Sequence, residues 1–242
     1  MKFMRLNRFI SNSGLCARRA ADQLIRSGQI SVNGQRVSVL GTHVSPHDIV
    51  KYHDRVLSLE KHIYLLLNKP KDYITTLQDP ASRKTVQSLI RNACEERIYP
   101  VGRLDRTTTG LLLFTNDGVL AKRLAHPTGW IKKLYHVMLD KPIHAVDIAR
   151  IKQGVYLDDG VVRVDQCAIV DGEDRRHVGI EIHMGRNRVV RRLFEELYYR
   201  VVKLDRVMYA HLTKKNLPRG KWRFLSSQEV STLYQFSKVG LA

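Results

Sequence analysis

Residues 109–118, Thr-Gly-Leu-Leu-Leu-Phe-Thr-Asn-Asp-Gly, restrict the fold more than any other stretch of the chain. Four large apolar residues, Leu111 to Phe114, close at a turn signal and read as a strand buried on both faces. Just before them comes Gly102-Arg103-Leu104-Asp105-Arg106-Thr107-Thr108, a polar loop with one carboxylate between two arginines. A loop feeding a core strand is held by the scaffold, so a reactive group there stays in place. Opposite charge on both sides favours the ionised carboxylate. Alone, the pattern fits a surface ion pair as well as a reactive group.

Charge narrows the choice. The 242 residues carry 41 Lys and Arg against 23 Asp and Glu, a formal net charge of +18, which points to a polyanionic partner. Nucleic acid fits better than a membrane, because no apolar run approaches the roughly 20 residues of a spanning helix. No leader pattern is visible at Met1-Lys2-Phe3-Met4. Hydrophobic residues make up 43% of the chain, enough for a medium domain and a small one. Cys16, Cys94 and Cys167 are odd in number and widely spaced, which suggests free thiols in a reducing cytoplasm. His43 and His47 are interrupted by Ser45-Pro46, which breaks the helix that would aim both at one metal.

Residues 1–50 read as a small basic unit. Leu6, Phe9 and Ile10 recur at helical spacing, and Ser13-Gly14 ends that helix. Ala20, Ala21, Leu24 and Ile25 form the inward face of a second helix, with Arg18 and Arg19 on another face. Asn33-Gly34 between two β-prone runs is a strong hairpin signal. Up to residue 60, nine Lys/Arg oppose four Asp/Glu. Residues 51–62 are mixed in charge without periodicity and read as the connection between domains.

From residue 63 onward the pattern is α+β. Ile63 to Leu67 predicts a core strand ending at Asn68-Lys69-Pro70, and Thr85 to Asn92 a short helix. Asp117 caps a helix with Leu120 and Leu124 inward, closed by His126-Pro127. Leu134 to Leu139, Val161 to Val164, Ala168 to Val170, Val178 to Ile182, Val201-Val202 and Trp222 to Phe224 predict strands, and Asp147 to Gln153 a helix. Ser226 and Glu229 have capping-box spacing for a last helix. A basic helix is predicted over Gly185 to Phe194, with Val190, Phe194 and Leu197 as its apolar stripe and Arg191 beside that stripe. Between residues 181 and 225, twelve Lys/Arg oppose four Asp/Glu, the densest positive region of the chain.

The helix–helix–hairpin order at the N-terminus, carried by Arg18 to Gly28 and Val32-Asn33-Gly34, resembles the RNA-binding domain of ribosomal small-subunit protein four, the S-four-type domain. Behind it come Tyr99 to Asp105, Thr109 to Gly118, His126-Pro127, Lys133-Leu134-Tyr135 and Gly185-Arg186-Asn187-Arg188. In that order the set resembles the ribosomal RNA pseudouridine synthases of the RsuA/RluB branch, over residues 5 to about 230. The resemblance implies an S-four-type domain at 1–50, a linker at 51–62, and a catalytic domain at 63–242 with a mixed, largely antiparallel sheet flanked by helices. It implies isomerisation of chosen uridines in ribosomal RNA to pseudouridine, with no cofactor or metal.

By the same resemblance, Asp105 is the catalytic carboxylate, Arg191 the basic residue paired with it, and Tyr135 the ring packed on the uracil. Ile182 forms an apolar wall of the pocket, and Arg103 fills the gap left by an extruded nucleotide. Candidate RNA-binding residues are Arg5, Arg18, Arg19, Arg26, Asn33, Arg36, Arg186, Arg188 and Arg192. Met184 and Val189 stand where the family usually has an acid and a glutamine, which bears on substrate choice. Arg106 and Tyr198-Tyr199 stand where smaller residues are common. Ile74-Thr75-Thr76 and Asp79-Pro80 look more like branch members acting on the large subunit. The alternatives are a non-catalytic ribosome-assembly factor and a synthase acting on transfer RNA. A monomer is the default.

Overall fold

A computed structural model describes residues 3–77, 79–125 and 130–239, so the expected helix stop at His126-Pro127 lies outside the described residues. The chain divides into two compact units, Met1–His62 with Cys94–Arg97, and Ile63–Ala93 with Ile98–Ala242.

The first unit contains β1 (Met4–Arg5), α1 (Leu6–Asn12), α2 (Arg18–Arg26), β2 (Ile30–Val32), β3 (Gln35–Val37), β4 (His43–Val44), β5 (Val50–Tyr52) and β6 (Arg55–Val56). Leu6 and Ile10 of α1 and Ala21 and Ile25 of α2 close over Ile30, Val44, Val50 and Leu57. The β2–β3 hairpin turns at Asn33 (φ 52°) and Gly34 (φ 85°), the two left-handed residues that a tight right-twisted hairpin requires. The expected connection at 51–62 is corrected here. β5 pairs with β2 and β6 with β5, and Leu57 is buried, so the first unit's sheet continues to Val56 and its core to Leu57. Its polar residues hid two strands too short to show a period.

The second unit begins with β7 (Tyr64–Lys69), α3 (Val86–Leu89), β8 (Tyr99–Pro100), β9 (Thr109–Thr115), α4 (Gly118–Ala125) and β10 (Lys133–Leu139). It continues with α5 (Ala145–Gln153), β11 (Val155–Leu157), β12 (Gly160–Val162), β13 (Gln166–Ile169), β14 (His177–Ile182) and α6 (Val189–Glu196). It ends with β15 (Val201–Tyr209), β16 (Leu212–Thr213), β17 (Trp222–Phe224) and α7 (Ser227–Val239). Among the described residues one nine-stranded sheet runs β13-β14-β10-β15-β9-β7-β17, with β16 on β15 and β8 on β9. Its pairings are antiparallel except β15 with β9, which makes the fold α+β with a mixed, largely antiparallel sheet.

Leu111, Leu112, Leu113 and Phe114 are wholly buried, as a two-face strand demands. On one face Leu111 and Leu113 meet Leu120 and Leu124 of α4 and Leu233 of α7. Gly110 is required where β9 meets β15. Its φ is 105°, and a Cβ there would lie 2.2 Å from the Arg206 carbonyl oxygen.

Several boundaries move, and two of the shifts bear on the site. β7 runs on through Asn68 and Lys69, both buried, because the Asn68 amide donates to Leu217 O (2.8 Å) and Lys69 finds carbonyl acceptors of its own. The basic helix starts only at Val189: Arg188, at its N-cap, is left-handed (φ 46°), so Arg186 and Arg188 sit on the approach to the helix.

Candidate active site

The loop bearing Asp105 is tied down from three sides. Gly102 turns it with φ 73°, and the buried Leu104 pins it to the core. The Thr75 hydroxyl donates to Leu104 O (2.7 Å) and accepts the Leu104 N–H (3.2 Å). Beneath the loop, Lys69 is fully buried. Its Nζ donates to the carbonyl oxygens of Pro70 (3.1 Å), Asp105 (3.1 Å), Arg106 (3.3 Å) and Thr108 (2.8 Å). Burial pulls the Lys69 pKa down to about 8, while the charges of Asp105 and Asp72 pull the other way. An ammonium at the focus of four carbonyls is a charge-assisted clamp on the loop that carries Asp105.

Asp105 opens onto a cavity of about 150 Å³ whose walls include Arg103, Tyr135, Ile182, Lys133 and Arg206. Tyr135 and Ile182 are buried there, presenting a ring and an apolar face. A wider chamber of about 580 Å³ shares residues 102–105 with that cavity and extends past Thr75 and Thr76 to Arg83, Arg186 and Arg188. Met184 and Val189, which stand where the family usually has an acid and a glutamine, both line the inner cavity.

The charge around Asp105 differs from the expectation. Its ion pair is with Arg188, whose Nη1 lies 3.8 Å from Oδ2. Arg191 is buried on α6 but makes no ion pair with Asp105 among the described residues. Its Nη1 donates to Val201 O (3.0 Å) and its Nη2 to Thr107 Oγ1 (3.3 Å). Burial and the neighbouring Arg188 push its pKa down, and Asp105 opposes them. Arg191 therefore faces the carboxylate electrostatically and braces its loop through Thr107. Helix geometry explains the swap: Arg188, at the N-cap, reaches both Asp105 and Glu195 (3.7 Å), whereas Arg191 points into the core. Arg106 turns to Asp72 at 3.7 Å, and the exposed Arg103 makes no ion pair among the described residues.

The other arginines fall into two groups. Arg5, Arg18, Arg19, Arg26 and Arg36 are exposed on the first unit without an ion pair among the described residues. Arg192 is engaged by Asp158 and Asp159 (both 2.7 Å), and Arg186 by Gly160 O (3.0 Å) and Asp159 (3.5 Å), which fastens the β11–β12 hairpin to α6. Asn33, expected to touch RNA, spends its amide on the turn: it donates to Asp48 (3.0 Å) and accepts the Ile49 N–H (2.9 Å).

Three residues at the site carried only a faint sequence signal. Lys69 is a lysine inside an apolar strand, Arg206 an arginine on the inward side of one, and Lys133 precedes Tyr135 by two on the same strand face. Lys133 is mostly buried, and burial together with the Arg206 charge lowers its pKa to about 8. No group of three or more His, Cys, Asp or Glu side chains converges among the described residues.

Residues 63–196 match the family model described as RNA pseudouridylate synthase, and residues 4–50 match the S4 domain. A relative from Bacillus subtilis (strain 168), named ribosomal large subunit pseudouridine synthase B, is 38% identical over 240 residues, covering 98% of this chain and 98% of its own. An RNA pseudouridine synthase of Aquifex aeolicus (strain VF5) is 38% identical over 244 residues, covering 100% of this chain and 97% of its own. A crystal structure of a pseudouridylate synthase superposes with a TM-score of 0.67 at 28% identity, covering 95% of this chain and 99% of that one. The chain belongs to the RNA pseudouridylate synthase family, with an S4 domain ahead of the synthase domain.

Proposed function

We propose that this protein converts a uridine of large-subunit ribosomal RNA to pseudouridine, with Asp105 as the reacting carboxylate. The observation that carries the reading is one cavity walled by Asp105, Tyr135 and Ile182, with the Arg188 guanidinium 3.8 Å from the carboxylate. A uridine swung out of its stack enters, and its ring lies on Tyr135 against Ile182. Asp105 acts at the sugar–base junction, where the bond from N1 to the ribose breaks. The freed ring turns, and C5 joins the ribose in its place. Arg191 holds the loop through Thr107, and Lys69 holds it from below. Arg103, exposed beside the cavity and without an ion pair among the described residues, takes the space the uridine leaves in the RNA. Phosphates meet the exposed arginines of the first unit and Arg188, a contact that positions the RNA without reading its sequence.

The large subunit is favoured by the Bacillus subtilis relative's name and by its full-length match. The protein works as a monomer in the cytoplasm. Deleting the gene and mapping pseudouridines on both ribosomal RNAs by carbodiimide modification tests the assignment. The expected result is loss of modification at a large-subunit position, restored by the gene. An unchanged map of both RNAs, or loss on the small subunit alone, contradicts it.

A further inference from the structure

Arg206 is 3% exposed, yet its guanidinium is only partly engaged. Nε donates to Leu111 O (2.7 Å), and the guanidinium carbon lies 4.8 Å from the centre of the Tyr209 ring. Neither terminal nitrogen donates a hydrogen bond among the described residues, and Nη2 is fully buried without a partner. An unspent buried guanidinium is costly, and native structures keep one only when something else repays it. Its surroundings say what that is.

Arg206 lines the uridine cavity and is the register partner of Tyr135 across β15 and β10. The register shifts between Leu134, opposite Met208, and Tyr135, opposite Arg206, which leaves Val207 as an extra residue. Three positions apart on a regular strand, Arg206 and Tyr209 would face opposite sides. The bulge turns both into the cavity. Lys133, opposite Tyr209 on β10, lines the same wall, with one of its three N–H groups on His183 O. A buried cation, Arg206, and a partly buried one, Lys133, both with free donors, therefore flank the ring of Tyr135.

We infer that Arg206, seconded by Lys133, binds the carbonyl oxygens of the target uracil and holds the negative charge that the base carries once its bond to the ribose breaks. The inference rests on the uridine-isomerising reading above. When the N1–C1′ bond breaks, its electron pair passes into the ring and spreads over O2 and O4. C5 then forms the new bond to C1′, loses its proton, and N1 gains one, so the base ends neutral. A buried cation directed at the atoms where charge develops is the arrangement that lowers such a barrier. The same pair sets base choice: cytosine offers an amino group at position four, a donor facing donors, where uracil offers an acceptor.

The test compares single-turnover rates at saturating protein on a ribosomal RNA fragment for wild type, Arg206→Gln and Arg206→Lys. RNA affinity and melting temperature are measured alongside. Each protein is also run on RNA with 5-fluorouridine at the target, a less basic leaving base, followed by consumption of that nucleoside after digestion. Arg206→Gln is expected to lose about 100-fold in rate with RNA affinity unchanged within about threefold. Arg206→Lys should recover at least about tenfold of that loss, and the deficit of either variant should shrink on the fluorinated RNA. If the glutamine variant does not fold, the lysine variant on the two RNAs decides. A deficit equal on both RNAs, or a glutamine variant within about threefold of wild type, overturns the inference. A wild-type protein inert on unmodified RNA strikes down the underlying reading instead.

Discussion

At the scale of single residues, the site is a set of cations arranged around one carboxylate, and two of them titrate in an accessible range. Burial brings Lys69 and Lys133 to about 8. Below that pH both are ammonium ions, and Lys69 clamps three carbonyls of the Asp105 loop, those of Asp105, Arg106 and Thr108; above it the clamp loses its charge. Single-turnover pseudouridine formation should therefore decline as pH rises through about 8, and a rate flat to roughly pH 9.5 would contradict the clamp. Stability should move the other way. Unfolded lysines titrate near 10.4, so between roughly pH 8 and 10 the unfolded chain binds more protons, and these two residues make folding more favourable as pH rises. A falling rate without a falling melting temperature separates the two effects. Lys69→Met should cost on the order of 2–3 kcal/mol in denaturant unfolding, because it strands carbonyls that lose a charged donor. Asp105 and Tyr135, both on the cavity wall, could be singled out in the sequence because each stands in a short ordered motif, and Ile182 because it ends a strand of period two. Lys69 and Arg206 were not, because what makes them special is the convergence of distant carbonyls and one strand bulge.

At the scale of elements, the caps were the most legible feature. Asp117 Oδ1 accepts the N–H groups of Val119 and Leu120, and Ser226 and Glu229 exchange reciprocal bonds at the start of α7. Ser226→Ala should cost about 1 kcal/mol. The bidentate hydrogen bonds from Arg223 hold the Glu229 carboxyl at about 2, well below the usual carboxylate range. A depressed carboxylate contributes stability above its unfolded pKa and loses it as pH falls toward the folded one. Denaturant unfolding should therefore show Glu229→Gln losing less stability than wild type between roughly pH 4.5 and 2. Strands were legible where both faces are buried and opaque where they are short. β9 declared itself through four apolar residues, while β5 buries only Val50 and both residues of β6 are exposed. The start of α6 was misplaced because a run of arginines looks helical whether or not its first members are. Arg188 is the residue that breaks the pattern, and its left-handed backbone frees it to meet Asp105.

At the scale of the whole molecule, a net charge of +18 sets the dominant expectation, which is salt-sensitive RNA binding. Changing Arg18 and Arg19 to glutamate should weaken RNA binding about tenfold or more and flatten its dependence on salt. The single-turnover rate at saturating protein should stay within about threefold of wild type, because the residues that line the cavity beside Asp105 all belong to the other unit. Fold class was readable from the order of strand and helix patterns. Which arginines stay free for RNA was not, since Arg186 and Arg192 are committed to a hairpin carboxylate pair that only the folded chain brings to them. The central claim is that one carboxylate on a clamped loop performs the chemistry. The most direct measurement is pseudouridine formed by Asp105→Asn on its ribosomal RNA, read alongside its affinity for the same RNA. Asp105→Asn should keep affinity within about threefold of wild type and form no pseudouridine; turnover within about tenfold of wild type would contradict a reacting carboxylate at Asp105.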